Sequence, residues 1–412
     1  MGDFDKTTPA VIFKIGCYRL HHGGLALIRS LGRVGIPVYG VHEDRLAPAA
    51  LSAHLIGGFI WPTTSTSADG ASLLAGFASI ASRLGRPAVA IATDDHGAAF
   101  LNNHAAELAP ILLLPACPSG LARDLTNKAT CAALSEKAGL APLPGIVVRC
   151  PVSARELSGI RLPVVVKRTE RTLLATGKRT FSTRIAHTAA QLAEILGDES
   201  GGPFEVILQE VIPGDDWLYH GYYAANSVAL VSFTGRKLRS RPAHSGETAH
   251  AQAIANPELK ELVEGFLKQI GYVGPVSMDL RHDARTGSYR LLDVNPRVGA
   301  CFRVFQNIHG IDVARAQHLD LTGRAVPSGP QVDGRTYTVE NYDLGVRRTY
   351  ARSSWDWLRG LRGSSERAWL DGADLLPPVA AAAQMLLREP RPGLREAYPK
   401  FFPGLSLFGK AK

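Results

Sequence analysis

Short apolar runs alternate with helical stretches over the first part of the chain. Val11–Ile15, Pro37–Val41 and Ala88–Ala92 have the length of strands, and the stretch from about Leu25 to Val34 reads as a helix. Apolar strands alternating with helices predict a parallel, doubly wound sheet. Such sheets bind ligands at the carboxyl ends of their strands. His21, His22, Asp44, Asp94, Asp95 and His96 are therefore candidates for a substrate pocket, set against the plainer reading of solvated loop residues. The loop Gly16–Gly24 has no GxGxxG, so a dinucleotide fingerprint is absent.

Further along, Thr126–Gly139 reads as a helix with Lys128 in its first turn and Gly139 as its stop. A strand near Ile146–Val148 and a short helix near Ala154–Leu157 lead to PVVVKR, a strand over 163–168 that delivers Lys167 at its end. Thr169–Gly177 is polar, Lys178–Ile185 returns as a strand, and a helix follows near Thr188–Leu196. FEVILQEVI, Phe204–Ile212, is a strand closed by Pro213–Gly214 and the pair Asp215–Asp216. Such a strand end can present backbone groups to a purine edge, with a carboxylate nearby for ribose hydroxyls. Tyr219–Ala225 and Val228–Leu238 form a hairpin across Asn226–Ser227 that runs into the basic GRKLRSR. Asn256–Ile270 is an amphipathic helix with an Asn cap and Pro257 at its first position.

The stretch Pro275–Arg297, PVSMDLRHDARTGSYRLLDVNPR, predicts a β-hairpin: Val276–Leu280 and Tyr289–Val294 are strands, and Asp283–Ser288 is a turn carrying Gly287. Residues two apart on a strand share a face, so Asp293 and Asn295 lie side by side, and an antiparallel partner can bring Asp279 opposite them. This is either a polar face in solvent or a set of hard oxygen donors suited to Mg²⁺ and nucleotide phosphates. Arg297, held after Pro296, is a candidate clamp for phosphate or carboxylate. Lys128 and Lys167 are either solvated or two ammonium groups reaching one phosphate chain.

Composition narrows the class. With 412 residues, two or three domains are expected, and 45% hydrophobic with 20% charged residues is ordinary for a globular protein. The net charge of +9 suits anionic small molecules and nucleic acid equally. Arg168, Arg171, Lys178, Arg179 and Arg184 are concentrated in one segment without interleaved aromatics. That favours a loop closing over a polyanion rather than single-strand binding. No run is apolar enough for a signal peptide or membrane span. Cysteines 17, 117, 131, 150 and 301 have no metal-ligand spacing and read as buried thiols in a reducing cytosol. Residues 326–412 carry Trp355, Trp357, Trp369 and an Ala-rich helix near Pro378–Arg388. Docking helices or an oligomer contact is the plain reading there; a partner or headgroup surface is the alternative.

The order Lys128, PVVVKR, ILQEVIPGDD, GRKLR and MDLR…LLDVNPR resembles the ATP-grasp superfamily, and within it the carboxylate–amine ligases, especially the D-aspartate ligase group. The likeness spans about residues 115–325, and 10–115 more loosely. It implies an α/β and α+β fold: a parallel α/β domain over 1–115, an ATP-grasp domain of two α+β subdomains clamping ATP over 116–325, with a lid at about 145–212, and a mainly helical extension over 326–412. It implies that Lys128 and Lys167 hold ATP phosphates, that the backbone of Glu210 and Ile212, with Gln209 beside them, reads adenine, and that Asp216 takes the ribose. Asp279, Asp293 and Asn295 become Mg²⁺ ligands, two ions being expected with Mn²⁺ as a substitute, and Arg297 stands beside the reacting centre. Arg236, Lys237 and Arg239 lie where cations approach the γ-phosphate or acyl group. The loop RTERTLLATG replaces a glycine-rich one, which leaves its phosphate contacts to side chains such as Arg168, Arg171 or Thr172, and Asp293 stands where many relatives carry glutamate. The implied activity is amide formation from a carboxylate and an amine through an acyl phosphate, in the cytoplasm, with no nucleic-acid partner and a homodimer allowed. Another ATP-grasp reaction type (carboxylase or phosphotransferase), or a non-enzymatic nucleotide- or nucleic-acid-binding role, is the alternative.

Overall fold

The computed structural model describes residues 2–16, 18, 20–61, 70–152, 157, 159–169, 183–197, 203–350, 352–387 and 406–409. The apolar runs of the first part form a parallel sheet of β1 (Ala10–Phe13), β2 (Val38–His42), β3 (Gly57–Ile60), β4 (Ala88–Ala92) and β5 (Leu112–Leu113). Helices α1 (His22–Gly32), α2 (Gly70–Leu84), α3 (Asp95–Asn103) and α4 (Ala105–Leu108) connect them. The strand order 3-2-1-4-5 is the doubly wound arrangement expected.

The predicted helix over 126–139 is α6 (Lys128–Lys137), and a separate short helix, α5 (Leu121–Thr126), precedes it. Asn127 breaks them apart because its side chain accepts from the N–H groups of Ala129 and Thr130 and so caps α6. A small antiparallel sheet follows: β6 (Gly145–Cys150), β7 (Val164–Arg168), β8 (Thr183–Ala186) and β9 (Phe204–Glu210), with α7 (Ala189–Leu196) packed on it. The predicted helix near Ala154–Leu157 and most of the loop after Arg168 lie outside the described residues.

A larger sheet carries β10 (Gly214–Ala224), β11 (Val228–Arg241), β12 (Glu247–Ala253), β13 (Gly274–Asp283), β14 (Tyr289–Asn295), β15 (Thr336–Thr338) and β16 (Glu366–Arg367). Helices α8 (Pro257–Gln269), α9 (Val313–Leu321), α10 (Glu340–Val346), α11 (Ser354–Gly363) and α12 (Leu376–Leu386) complete the fold, with β17 (Ser406–Gly409) paired antiparallel to β3. Gly214 opens β10 at φ +141, where an added Cβ would sit 1.8 Å from the His282 carbonyl oxygen. Only glycine permits that bend, which turns Asp215 and Asp216 back over the hairpin.

Both faces of the large sheet are buried. Leu218, Phe233 and Phe305 pack with α1 and α9 on one side, and Tyr219, Met278 and Leu280 pack with α8 on the other. The segment after residue 325 is helical as expected, yet it also gives two strands to this sheet. It is fastened to α1 by Arg29, which is 0% exposed. Its Nε donates to Asp374 Oδ2 at 2.9 Å, Nη1 to the Ala368 carbonyl at 3.0 Å and Nη2 to the Trp369 carbonyl at 2.8 Å. Removing one partner of such a buried pair strands the other charge, at a cost of about 3–5 kcal/mol. Arg29→Met should lower the unfolding free energy from urea denaturation by that order, whereas Arg324→Met, which breaks the exposed pair with Asp3, should change it by less than about 1 kcal/mol. Equal effects in the two denaturation curves would refute the anchoring role.

Candidate active site

A cleft of about 620 Å³ runs between the small sheet, the large sheet and the carboxyl end of the parallel sheet. Its floor is the β13–β14 hairpin. Register puts Asp279 directly opposite Asp293 and Ser277 opposite Asn295, with an irregularity just after Asp279. Two carboxylates face to face repel unless cations offset them. Here Lys237, from β11, pairs with Asp279, and Lys128, from the first turn of α6, pairs with Asp293. Burial pushes the Asp279 carboxyl up, but Lys237 and the other cations outweigh it and the pKa falls below the usual range. Burial likewise works against the charge on Lys237, and Asp279 overcomes it, leaving that ammonium more firmly protonated.

Lys167, at the end of β7, donates to the Leu292 carbonyl at 3.0 Å. Burial, then the nearby Lys128 charge, brings its pKa down to about 7. Arg297 ties α3 to the hairpin: Nε donates to Asp95 Oδ1 at 2.7 Å, and Nη2 to Asn295 Oδ1 at 2.9 Å. Across the cleft, Arg281 holds Asp216 at 2.6 Å and the Ile212 carbonyl at 2.9 Å. These two bonds fix the turn between the small and large sheets.

The donor set suits a hard divalent cation. Among the described residues no three His, Cys, Asp or Glu side chains gather as a metal group. Asp279, Asp293 and Asn295 thus offer two carboxylates and a carboxamide, leaving further positions to phosphate oxygens and water, which matches the habit of Mg²⁺.

The structure brings Lys128, Lys167, Lys237, Asp279, Asp293, Asn295 and Arg297 to one cleft, along with Glu210, Ile212 and Asp216. Others fall elsewhere. Alternation along β11 takes Arg236 off the lining, where it pairs with Asp215 at 2.5 Å and lies over the Trp217 ring. Arg239 is buried against Asp343. Gln209 is buried in β9 and does not line the cleft, so a side-chain role beside the nucleotide edge has no geometric basis. Asp94 lines the cleft but is engaged in structure, capping α3 and accepting from Tyr18 Oη at 2.6 Å, while Asp44 lies off the lining and caps a turn through the Leu46 N–H. His96 lies off the lining, whereas His21, His22 and Asp95 line it. Arg171, Thr172, Lys178 and Arg179 lie outside the described residues. Sequence reasoning missed Arg281, whose signal is its position opposite Asp216 in the β10–β13 register. It also missed Asn341 and Tyr342, cleft residues far along the chain that only the fold brings there.

Comparison with known proteins fits this geometry. No family model matches the chain. A D-aspartate ligase of Enterococcus faecium (strain Aus0004) is 29% identical over 138 residues, which is 32% of this chain and 32% of that protein. The chain thus matches about a third of that relative's length. Among solved structures, the L-amino acid ligase of Bacillus licheniformis superposes with a TM-score of 0.56 at 15% identity, over 76% of this chain and 74% of its own. An N5-carboxyaminoimidazole ribonucleotide synthetase in complex with ADP gives a TM-score of 0.59 at 15% identity, over 84% and 86%. The chain has the ATP-grasp fold.

Cys131 and Cys301 are poorly placed to act as nucleophiles. Burial pushes the Cys131 thiol up to about 11 and the Cys301 thiol up to about 12. A protonated, enclosed thiol reacts slowly. Peptide mapping after iodoacetamide at pH 8 should find both unmodified in the native protein and modified in guanidinium; rapid native labelling would contradict the packing around them.

Proposed function

We propose that this ATP-grasp chain is an ATP-dependent ligase that joins a carboxylate to an amine through an acyl phosphate, releasing ADP and phosphate. The observation that carries the reading is the convergence of three lysines on a carboxylate pair backed by Asn295 and Arg297. The ligase names of two similar proteins support it, as does the ADP complex of the third.

In this reading Lys128 and Lys167 hold the nucleotide phosphates, the strand end at Glu210–Ile212 offers backbone groups to adenine, and Asp216, steadied by Arg281, faces the ribose. Asp279, Asp293 and Asn295 would hold Mg²⁺, two ions in the full form of the proposal with Mn²⁺ as a substitute; a bound divalent cation offsets charge on the transferring phosphoryl group. The substrate carboxylate oxygen attacks the γ-phosphorus, the bond to the ADP oxygen breaks, and ADP leaves. Lys237 and Arg297 offset the charge that builds on the phosphoryl and acyl oxygens. The amine then adds to the acyl carbon, and phosphate departs with the bonding pair as the nitrogen loses its proton. The acyl phosphate is open to hydrolysis, so a cleft covered by the lid sheet protects it. Arg236 has no place in this scheme.

Location and assembly belong to the same proposal. Among the described residues no helix is long and apolar enough to cross a membrane. The four described cysteines are free, three of them buried, which supports a cytoplasmic setting. A homodimer remains part of the reading and is tested by light scattering.

Asp293→Ala should abolish Mg²⁺-dependent ADP release in the presence of amino-acid mixtures while circular dichroism stays native; retained turnover with Mg²⁺ would remove the metal assignment, and ADP release indifferent to carboxylate and amine would remove the ligase. A second expectation concerns pH. A phosphate raises the pKa of a lysine it binds, so affinity supported by Lys167 is full below the free value of about 7 and declines as pH rises through it. ADP affinity measured by calorimetry should fall several-fold from pH 7 to 9 in the wild type and stay flatter in Lys167→Arg. A flat wild-type profile would exclude Lys167 from phosphate binding.

A further inference from the structure

Helix α12 leaves an apolar face uncovered. From Leu375 to Leu387 the chain reads LLPPVAAAAQMLL and carries no charged residue. Its inner face is Pro377 and Ala381, both buried, with Met385 packed against the same core. The opposite face is in water: Leu375 is 66% exposed, Leu376 61%, Val379 66%, Leu386 83% and Leu387 82%. Steps of three, four and seven residues put these five on one side of a helix, with the exposed Ala382 and Ala383 between them. Leu46, 69% exposed, stands beside the stripe, since Gln384 Nε2 donates to the Leu46 carbonyl at 2.8 Å.

This face is held in place. Asp374, just ahead of it, is 1% exposed and accepts from Ser52 Oγ at 2.8 Å and the Ala53 N–H at 2.7 Å, besides Arg29. The apolar side chains are therefore presented by a fixed element, and a partner that removed them from water would recover free energy. Their exposed area is on the order of 700 Å², against about 800 Å² per partner in a standard interface and ~300–600 Å² for the largest apolar patch of a typical monomer. Charge decides which partner fits. An interfacial membrane helix carries Lys and Arg opposite its apolar face, whereas the opposite face of α12 is buried in protein and has neither. An acidic partner would seek the cations of a chain with net charge +9, and α12 offers it none. A second copy of the chain is opposed by that same charge and is best received where both surfaces are neutral and apolar.

We propose that α12 is the contact surface of a homodimer, in which the stripes of two copies lie against each other about a two-fold axis. This rests on the homodimer of the ligase reading and names its surface. A two-fold contact requires a self-complementary patch. An uncharged row of leucines around two alanines is one: the alanines let the helices approach, and leucines of one copy fill the space beside the alanines of the other. Leu46 comes from the first part of the chain and α12 from the last, so the contact covers the joint that Arg29 fastens.

Sedimentation velocity is read on the full chain from about 0.1 to 100 μM, because a dimer reveals itself by its concentration dependence. Wild type is compared with Val379→Glu/Leu386→Glu and with Val379→Lys/Leu386→Lys. Both positions are exposed, so the monomer should keep its fold, which circular dichroism checks. The expected result is a wild-type dimer that holds or tightens as NaCl is raised, since salt screens the repulsion between like-charged chains. Either charged variant alone should associate at least a hundredfold more weakly. Mixing the two should restore the dimer, because the Glu chain then meets the Lys chain. Val228→Glu, at a 53% exposed position on the β10–β11 hairpin, should leave the dimer unchanged; an equal loss there overturns the surface. A dimer that the Glu variant leaves intact, or one that salt dissociates, also overturns the surface and leaves the homodimer standing. A wild type that is monomeric at every concentration overturns both. Monomers that float with vesicles of anionic lipid, and cease to float in the Glu variant, overturn it in favour of a membrane. Mg²⁺-dependent ADP release is scored separately, so failure of the ligase reading is not confused with any of these outcomes.

Discussion

The opposition of Asp279 and Asp293 across one hairpin constrains much of the rest of the molecule. Two carboxylates held in register inside a cleft repel each other and lose hydration, and each needs a cation with a fixed geometry. Lys237 can meet Asp279 only if β11 lies one strand beyond β10, and Lys128 can meet Asp293 only if α6 begins beside β14. Asn127 sets that beginning by capping α6 one residue before the lysine. The hairpin thus helps to fix the strand order on one side and a helix start on the other.

Much of this was legible in the chain because it follows from local pattern. The hairpin, the Asn256 cap of α8 and the run of apolar strands each depend on residues within a few positions of one another. Lys128, Lys167, Asp279, Asp293 and Asn295 could be singled out because each sits at an element end or on an alternating face. Arg236 and Lys237 could not be told apart, since adjacent strand residues differ only by which face the sheet presents to the cleft. Gln209 misled for the same reason. Its neighbours pointed to a ligand-binding strand end, but the close approach of β6 at Gly145 buries it.

Long-range partners were beyond pattern. Arg29 finds Asp374, and Arg239 finds Asp343, across more than a hundred residues of chain. Nothing near Tyr342 or Trp369 in sequence announces a cleft. The last part of the chain read as docking helices because helical periodicity hides two short strands, β15 and β16, that enter the large sheet. Their entry is what carries α10 to the cleft wall, and the Arg29 grip on residues 368–374 keeps it there.

The charge pattern has a consequence for how ligands enter. An ammonium has three N–H donors, so in the ligase reading an arriving phosphate would share Lys128 and Lys237 with Asp293 and Asp279 and weaken both pairs. A divalent cation arriving with the phosphate would offset the carboxylate charge released, which favours a ligand that brings the two together. Lys167 differs: its hydrogen bond goes to a neutral carbonyl, and burial has already weakened its hold on the proton. In the ligase reading, phosphate contact there would restore a charge, whereas at Lys128 and Lys237 it would compete with a carboxylate already present.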